Sequence, residues 1–195
     1  MFEFRIIKRP EFENDSMLLS FNSNSIKSLR ESLIEDEYYE LKDEKFYCKD
    51  VNSRGFEKFV KNRPSLAKMA KYLEGTVYTF SCQKKNGMSY ERILDTIKSM
   101  LILNSRRVFL TMSDRLEDYN NSIDKDLDVS CMTGIHYKHN SVSLMFRASD
   151  IKNELIVDIV TVYDYFIRPI YGFDCNVNIE IFASSCQNYS HINKL

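Results

Sequence analysis

Tryptophan is missing from this chain, and glycine and proline are scarce, with 5 and 3 residues among 195. So few breakers mean few sharp turns, and they exclude a glycine-rich loop as a cradle for phosphate. An excess of either charge is lacking too. Lys plus Arg is 27 against 28 Asp plus Glu, a net charge of -1, which argues against non-specific binding to a nucleic-acid backbone. No run of about 18 apolar residues occurs, so no membrane-spanning helix and no membrane partner is expected. The first eight residues, Met1 to Lys8, alternate and are interrupted by charge, without the apolar centre of a signal peptide. The five cysteines, Cys48, Cys82, Cys131, Cys175 and Cys186, are odd in number and contain no C-x-x-C. Reduced thiols in a cytoplasmic protein are therefore the expectation, with no metal site, and one thiol is available as a nucleophile. The three histidines, His136, His139 and His191, make no metal spacing with these cysteines.

What is present is an ordinary globular composition, 44% hydrophobic and 28% charged with 13 Phe and 12 Tyr, enough for one domain over residues 1–195. No repeat, low-complexity tract or linker divides it. The segment up to about Ser23 alternates like strands, and Ile26, Leu29, Leu33 and Ile34 recur at helical spacing over 25–40. Residues 41–55 carry no clear pattern. A helix interrupted by Pro64 is expected over 56–72, and a short strand over Thr76–Phe80. The strongest helix runs from Met88 to Leu103, capped by Ser89, with Ile93, Leu94, Ile97, Met100 and Leu101 on one face. A strand over 106–112, an acidic loop over 113–128, and a hairpin of 131–138 with 141–147 around His139-Asn140 follow. Residues 154–167 are almost continuously apolar and long enough for a buried helix, and 177–183 alternate as a last strand. The fold class is α+β, one sheet with several helices.

Five short motifs stand in order: Gly75-Thr76-Val77-Tyr78; Ser105-Arg106-Arg107-Val108-Phe109-Leu110 after a helix; Cys131; Arg147-Ala148-Ser149-Asp150; and Gln187-Asn188-Tyr189. This order resembles thymidylate synthase and its relative deoxycytidylate hydroxymethylase, over roughly residues 75–191. The resemblance implies a mixed β-sheet packed with helices, and a homodimer formed through the sheet. It implies a pyrimidine nucleoside monophosphate as substrate and 5,10-methylenetetrahydrofolate as one-carbon donor. Arg106 and Arg107 match a pair that reaches across the dimer to the partner's phosphate, and Arg147 matches the phosphate arginine of the same subunit; guanidinium forks suit a phosphate dianion. Without a partner, the same Arg-Arg is simply a solvated basic patch.

Cys131 matches the thiol that adds to carbon 6 of the pyrimidine, making carbon 5 nucleophilic. A lone cysteine on a strand is otherwise a small buried hydrophobe. The family places Pro before this cysteine and His after it, where this chain has Ser130 and Met132. Ser149 and Asp150 match a phosphate-touching serine, displaced by one position, and an aspartate of the base pocket. Tyr189 matches a tyrosine on the sugar 3′-hydroxyl, with Gln187 where its partner is usually His. Tyr78 matches a tyrosine of the proton network. For the glutamate that acts through water, Glu57 and Glu74 are the candidates, Glu57 taken first.

Asp158 bears on substrate choice. It lies inside the apolar run, eleven positions past Arg147. Thymidylate synthases resemble one another in having Asn here, whereas the hydroxymethylase has Asp. A carboxylate accepts from the N4 amino group of cytosine, while an amide reads the O4 and N3–H of uracil. Three readings follow. One is a C5 one-carbon transferase, acting on dCMP or CMP to give a hydroxymethyl product, or on dUMP as a thymidylate synthase. The second is a catalytically silent nucleotide-binding relative or partner subunit of a full-length enzyme. The third is a structural protein of the same fold.

Overall fold

The computed structural model describes residues 4–26, 29, 39–42, 45–48, 76–112, 131–151, 155–172 and 175–190. Six strands form one mixed sheet in the order β1-β2-β9-β7-β6-β5: Phe4–Lys8 (β1), Met17–Asn22 (β2), Phe109–Thr111 (β5), Met132–Tyr137 (β6), Ser141–Phe146 (β7) and Asn178–Ala183 (β9). Tyr39–Lys42 (β3) and Lys45–Cys48 (β4) make a separate antiparallel hairpin, and Ser149–Asp150 (β8) pairs in parallel with Cys186–Gln187 (β10). Within the large sheet β7 and β9 are parallel and every other pair is antiparallel. Parallel neighbours need a long crossover, and the apolar helix between them supplies it.

The period of two along each strand sorts the side chains onto two faces. Met17, Leu19 and Phe21 of β2, Ile179, Ile181 and Ala183 of β9, and Val142, Leu144 and Phe146 of β7 are buried on one face. Thr76–Asn86 (α1), Tyr90–Ile102 (α2) and Leu155–Val162 (α3) supply further buried residues of the same core, among them Tyr78, Ile93, Ile97, Leu155 and Ile159. Intervening residues on the other face are half-buried or exposed. The hairpin expected around His139-Asn140 closes with Lys138 N–H donating to Ser141 O at 2.9 Å. Ser89 caps α2 as expected, its hydroxyl accepting from the Arg92 N–H.

Helix α3 continues through a π-helical turn, Tyr163–Ile167, into Arg168–Tyr171 (α4). Pro169 explains the widening. It has no N–H for the carbonyl of Tyr165 four residues back, and its ring crowds that carbonyl. The Tyr90 hydroxyl donates to the Tyr165 carbonyl instead, and the Tyr137 hydroxyl donates to the Phe166 carbonyl at 3.1 Å. Tyrosines from α2 and β6 thus satisfy backbone acceptors at the distorted turn.

Three sequence expectations change. Thr76–Phe80 is the first turn and a half of α1, not a strand: Tyr78 and Cys82, one helical turn apart, are both fully buried, so packing overrides the β-branched content. The helix expected over 25–40 does not extend to its end, because Tyr39 and Glu40 pair with Cys48 and Tyr47 in the β3–β4 hairpin. The strand expected over 106–112 is shorter, Phe109–Thr111, with flanking bonds to β6 at Val108 and Met112. The expected helix over 56–72 and loop over 113–128, with Glu57 and Glu74, lie outside the described residues. Among the described residues no helix is long and apolar enough to cross a membrane.

Candidate functional site

The described residues chosen from sequence, Arg106 and Arg107 apart, fall into three clusters. The first is in the core. The Tyr78 hydroxyl on α1 donates to Asp158 Oδ1 on α3 at 2.6 Å, across 80 positions of sequence. Tyr78 is 0% exposed and Asp158 3%. A carboxylate buried in an otherwise apolar helix is costly unless hydrogen bonds stabilise it, and the short phenol contact supplies one. The bond also joins α1 to α3, so the misassigned segment is the one that delivers Tyr78.

The second cluster is the mouth of the β6–β7 hairpin. Arg147 N–H donates to Cys131 O at 2.8 Å, so the last ladder bond ties together the residue before β6 and the residue after β7. Arg147 is exposed and Cys131 half-buried. Of the other thiols, Cys82 and Cys186 are fully buried. Burial pushes Cys82 up to about 12, and burial, with Asp15 and Glu13 nearby, pushes Cys186 up to about 11. Neither forms a thiolate near neutrality. Cys131 and Cys175 are the partly accessible thiols among the described residues.

The third cluster is built on β8 and β10. Register pairs Ser149 with Cys186 and Asp150 with Gln187. Asn188, at φ +55°, turns back so that its Nδ2 donates to Asp150 Oδ1 at 3.0 Å. The β1–β2 loop wraps this strand end. Asn14 N–H donates to Cys186 O, Cys186 N–H donates to Asp15 O, and Asn188 N–H donates to Glu13 Oε2. Gln187 is exposed, and Tyr189 is half-buried against the core. Ser149 is 2% exposed, and its hydroxyl makes no hydrogen bond among the described residues. Ala148 alone separates the second cluster from the third.

Arg106 and Arg107 belong to none of these. They precede β5, where Tyr137 N–H donates to Val108 O and Met112 N–H donates to Thr133 O. The register puts the arginines at one end of β6 and Cys131 at the other, about 20 Å apart at 3.4 Å per residue. Both arginines are exposed, and the Arg106 carbonyl lies 3.4 Å from His136 Nε2. Within one chain they do not share a cavity with the thiol. His139 is exposed at the hairpin turn.

Asn188, Asn14 and Glu13 were not expected at the site. Among the described residues, Asn14 and Asn188 are two of the three non-glycine residues at positive φ, and asparagine tolerates that region, so an Asn in a polar turn was the available signal. Two-residue strands such as β8 and β10 leave no periodicity to read. Among the described residues no group of three His, Cys, Asp or Glu could hold a metal. No family model matches the chain, and no curated protein matches it.

Proposed function

We propose that this chain is a pyrimidine nucleotide C5 one-carbon transferase of the thymidylate synthase type, acting on a cytidylate, dCMP or CMP, as a hydroxymethylase. The observation that carries the reading is the buried Tyr78–Asp158 hydrogen bond. Two residues selected from the sequence, Tyr78 for the proton network and Asp158 for reading the base, 80 positions apart, meet in the interior at 2.6 Å. A tyrosine that donates to Oδ1 holds Asp158 as an acceptor, and an acceptor is what the exocyclic amino group of cytosine needs. In this reading Cys131 adds to carbon 6, Arg147 beside it holds the phosphate, and Asp150, Gln187 and Tyr189 face the rest of the nucleotide. The one-carbon unit comes from 5,10-methylenetetrahydrofolate as co-substrate.

The placement of Arg106 and Arg107 favours a homodimer, since their distance from Cys131 leaves them useful to a phosphate only across a subunit boundary. The half-exposed face of the sheet is the surface available for that contact. One row across it runs Thr111, Gly134, Met145, Phe182, Leu18 and Lys8 in register. The Phe109 ring leans over Gly134, where an added Cβ would lie 2.3 Å from its tip. The next row begins with Phe109 at the sheet edge and is polar from there on: His136, Ser143, Glu180, Ser20 and Arg5.

Release of tritium from 5-tritiated dCMP, dependent on methylenetetrahydrofolate and lost in Cys131→Ser, is the expected result. Absence of release from both dCMP and dUMP overturns the transferase reading. The silent nucleotide-binding relative is favoured by one observation: the loop against Asp150 and Asn188 brings the Glu13 carboxylate to this strand end, where it accepts from the Asn188 N–H. Calorimetry separates the two, because micromolar binding of dCMP without turnover supports the silent form.

A further inference from the structure

Parallel register sets Asp150 of β8 beside Gln187 of β10. The period of two turns Ser149 and Cys186 inward, where both are buried, and leaves Asp150 half-buried and Gln187 exposed on the opposite, open side. Continued extension would carry the next side chain, that of Asn188, to the inward side. Instead Asn188 takes φ +55°, in the left-handed region, and its Nδ2 comes back onto Asp150 Oδ1 at 3.0 Å. The backbone of Asn188 is engaged as well, its N–H donating to Glu13 Oε2 at 3.0 Å. The loop that carries Glu13 is itself tied to β10: Asn14 N–H donates to Cys186 O at 2.8 Å, and Cys186 N–H donates to Asp15 O at 3.0 Å. One carboxylate thus holds the backbone of Asn188 while its side chain holds another.

Glycine adopts a left-handed turn at no steric cost, so the turn alone does not call for asparagine. What asparagine adds is an amide donor. On a half-buried carboxylate, where water competes for the same oxygen, such a bond contributes more to orientation than to stability. We propose that Asn188 is a positioning residue, which fixes the Asp150 carboxylate for a nucleotide on the open side of the β8–β10 pair, with Glu13 holding the turn from which it acts. The role rests on the nucleotide reading given above, in which Asp150 faces the ligand. It adds to that reading a residue that acts through Asp150 and a loop, β1–β2, that holds this residue in place.

The experiment is a double-mutant cycle in the full chain, with Asn188→Gly, Asp150→Ala and the two together, read by calorimetry as affinity for whichever of dCMP and dUMP the wild type binds more tightly. Asn188→Gly keeps the backbone turn and removes the donor. It weakens nucleotide binding about tenfold, the worth of one hydrogen bond to a charged group. In the Asp150→Ala background the same change costs less than about twofold, because the amide has no carboxylate left to hold. A residue that only shapes the turn gives the other pattern, an equal loss in both backgrounds, and that additivity overturns the role. So does an Asn188→Gly chain that binds as tightly as wild type. If the wild type binds neither nucleotide, the nucleotide reading falls and this role falls with it; binding by the wild type together with either negative pattern overturns this role alone. If the glycine variant does not fold, Asn188→Asp, which tolerates the same φ and cannot donate when ionised, carries the same cycle with the same criterion.

Discussion

The two faces of the six-stranded sheet are made by the same strands and differ by one step of register. On the inner face Leu144, Phe146, Ile179 and Ile181 are almost wholly excluded from water beneath the helices. On the outer face their neighbours Ser143, Met145 and Glu180 are half-buried, and Phe182 is 43% exposed. Hydrophobic burial of the first kind drives folding of the single chain. The second kind adds little to the single chain and leaves Phe109, Met145, Phe182 and Leu18 as apolar surface that a partner can cover. The inner face therefore belongs to stability, and the outer face is the surface that the proposed homodimer uses.

The largest test of that division is Phe146→Ala. Deleting a fully buried ring should cost about 3–5 kcal/mol in chemical denaturation. A cost below about 1 kcal/mol would mean that the inner face is not the core. Next is Tyr78→Phe, which removes the donor to Asp158 without opening a cavity and should cost about 1–3 kcal/mol. A neutral result would show the carboxylate well served without the tyrosine. Phe182→Ser, on the outer face, should change the unfolding free energy of a dilute monomer by about 0.5 kcal/mol or less. In sedimentation the same variant should shift the chain towards monomer, and an unchanged association state would break the assignment of this face.

The smallest effect is at Asp15, on the β1–β2 loop. The backbone N–H groups of Glu11 and Ser16 donate to its carboxylate, and Lys8 lies 3.7 Å away. The Glu11 bond, then the Ser16 bond, hold it below the usual 3.8, outweighing slight desolvation, with Lys8 assisting. A folded value below the unfolded one means that the stabilisation is present above the unfolded value and disappears as pH falls through the folded one. Asp15→Asn should melt slightly below wild type at pH 7, with the gap closing from about pH 4 downwards. A gap that persists into strong acid would count against the carboxylate as its source.

Long elements were legible in the sequence. Ser89 and the Ile93-Leu94-Ile97 stripe specify α2, the turn at His139-Asn140 specifies the β6–β7 hairpin, and the apolar run from Leu155 is long enough only for a helix. Short or conflicted segments were not. Thr76-Val77-Tyr78-Thr79-Phe80 has the composition of a strand and becomes helix because Tyr78 and Cys82 then face the core together. The π turn before Pro169 was not anticipated, and the Tyr90 and Tyr137 hydroxyls that accommodate it come from distant elements.

The same holds for the candidate site. Sequence order selected Tyr78, Cys131, Arg147, Asp150 and Asp158 as residue types with suitable chemistry. It contained nothing about the approach of the β1–β2 loop to Asn188, nor about the separation of Arg106 and Arg107 from Cys131 along β6.

From sequence alone came the balanced charge, the absence of a long apolar span, the periodicities of the main strands and helices, and the choice of candidate site residues. These are properties of neighbours along the chain, readable at periods of two and 3.6. Tertiary structure alone decided which face of the sheet is dry, that α1 is a helix, and that Tyr78 meets Asp158. Those outcomes depend on contacts between residues tens of positions apart, whose stabilisation exists only once the chain has closed around them.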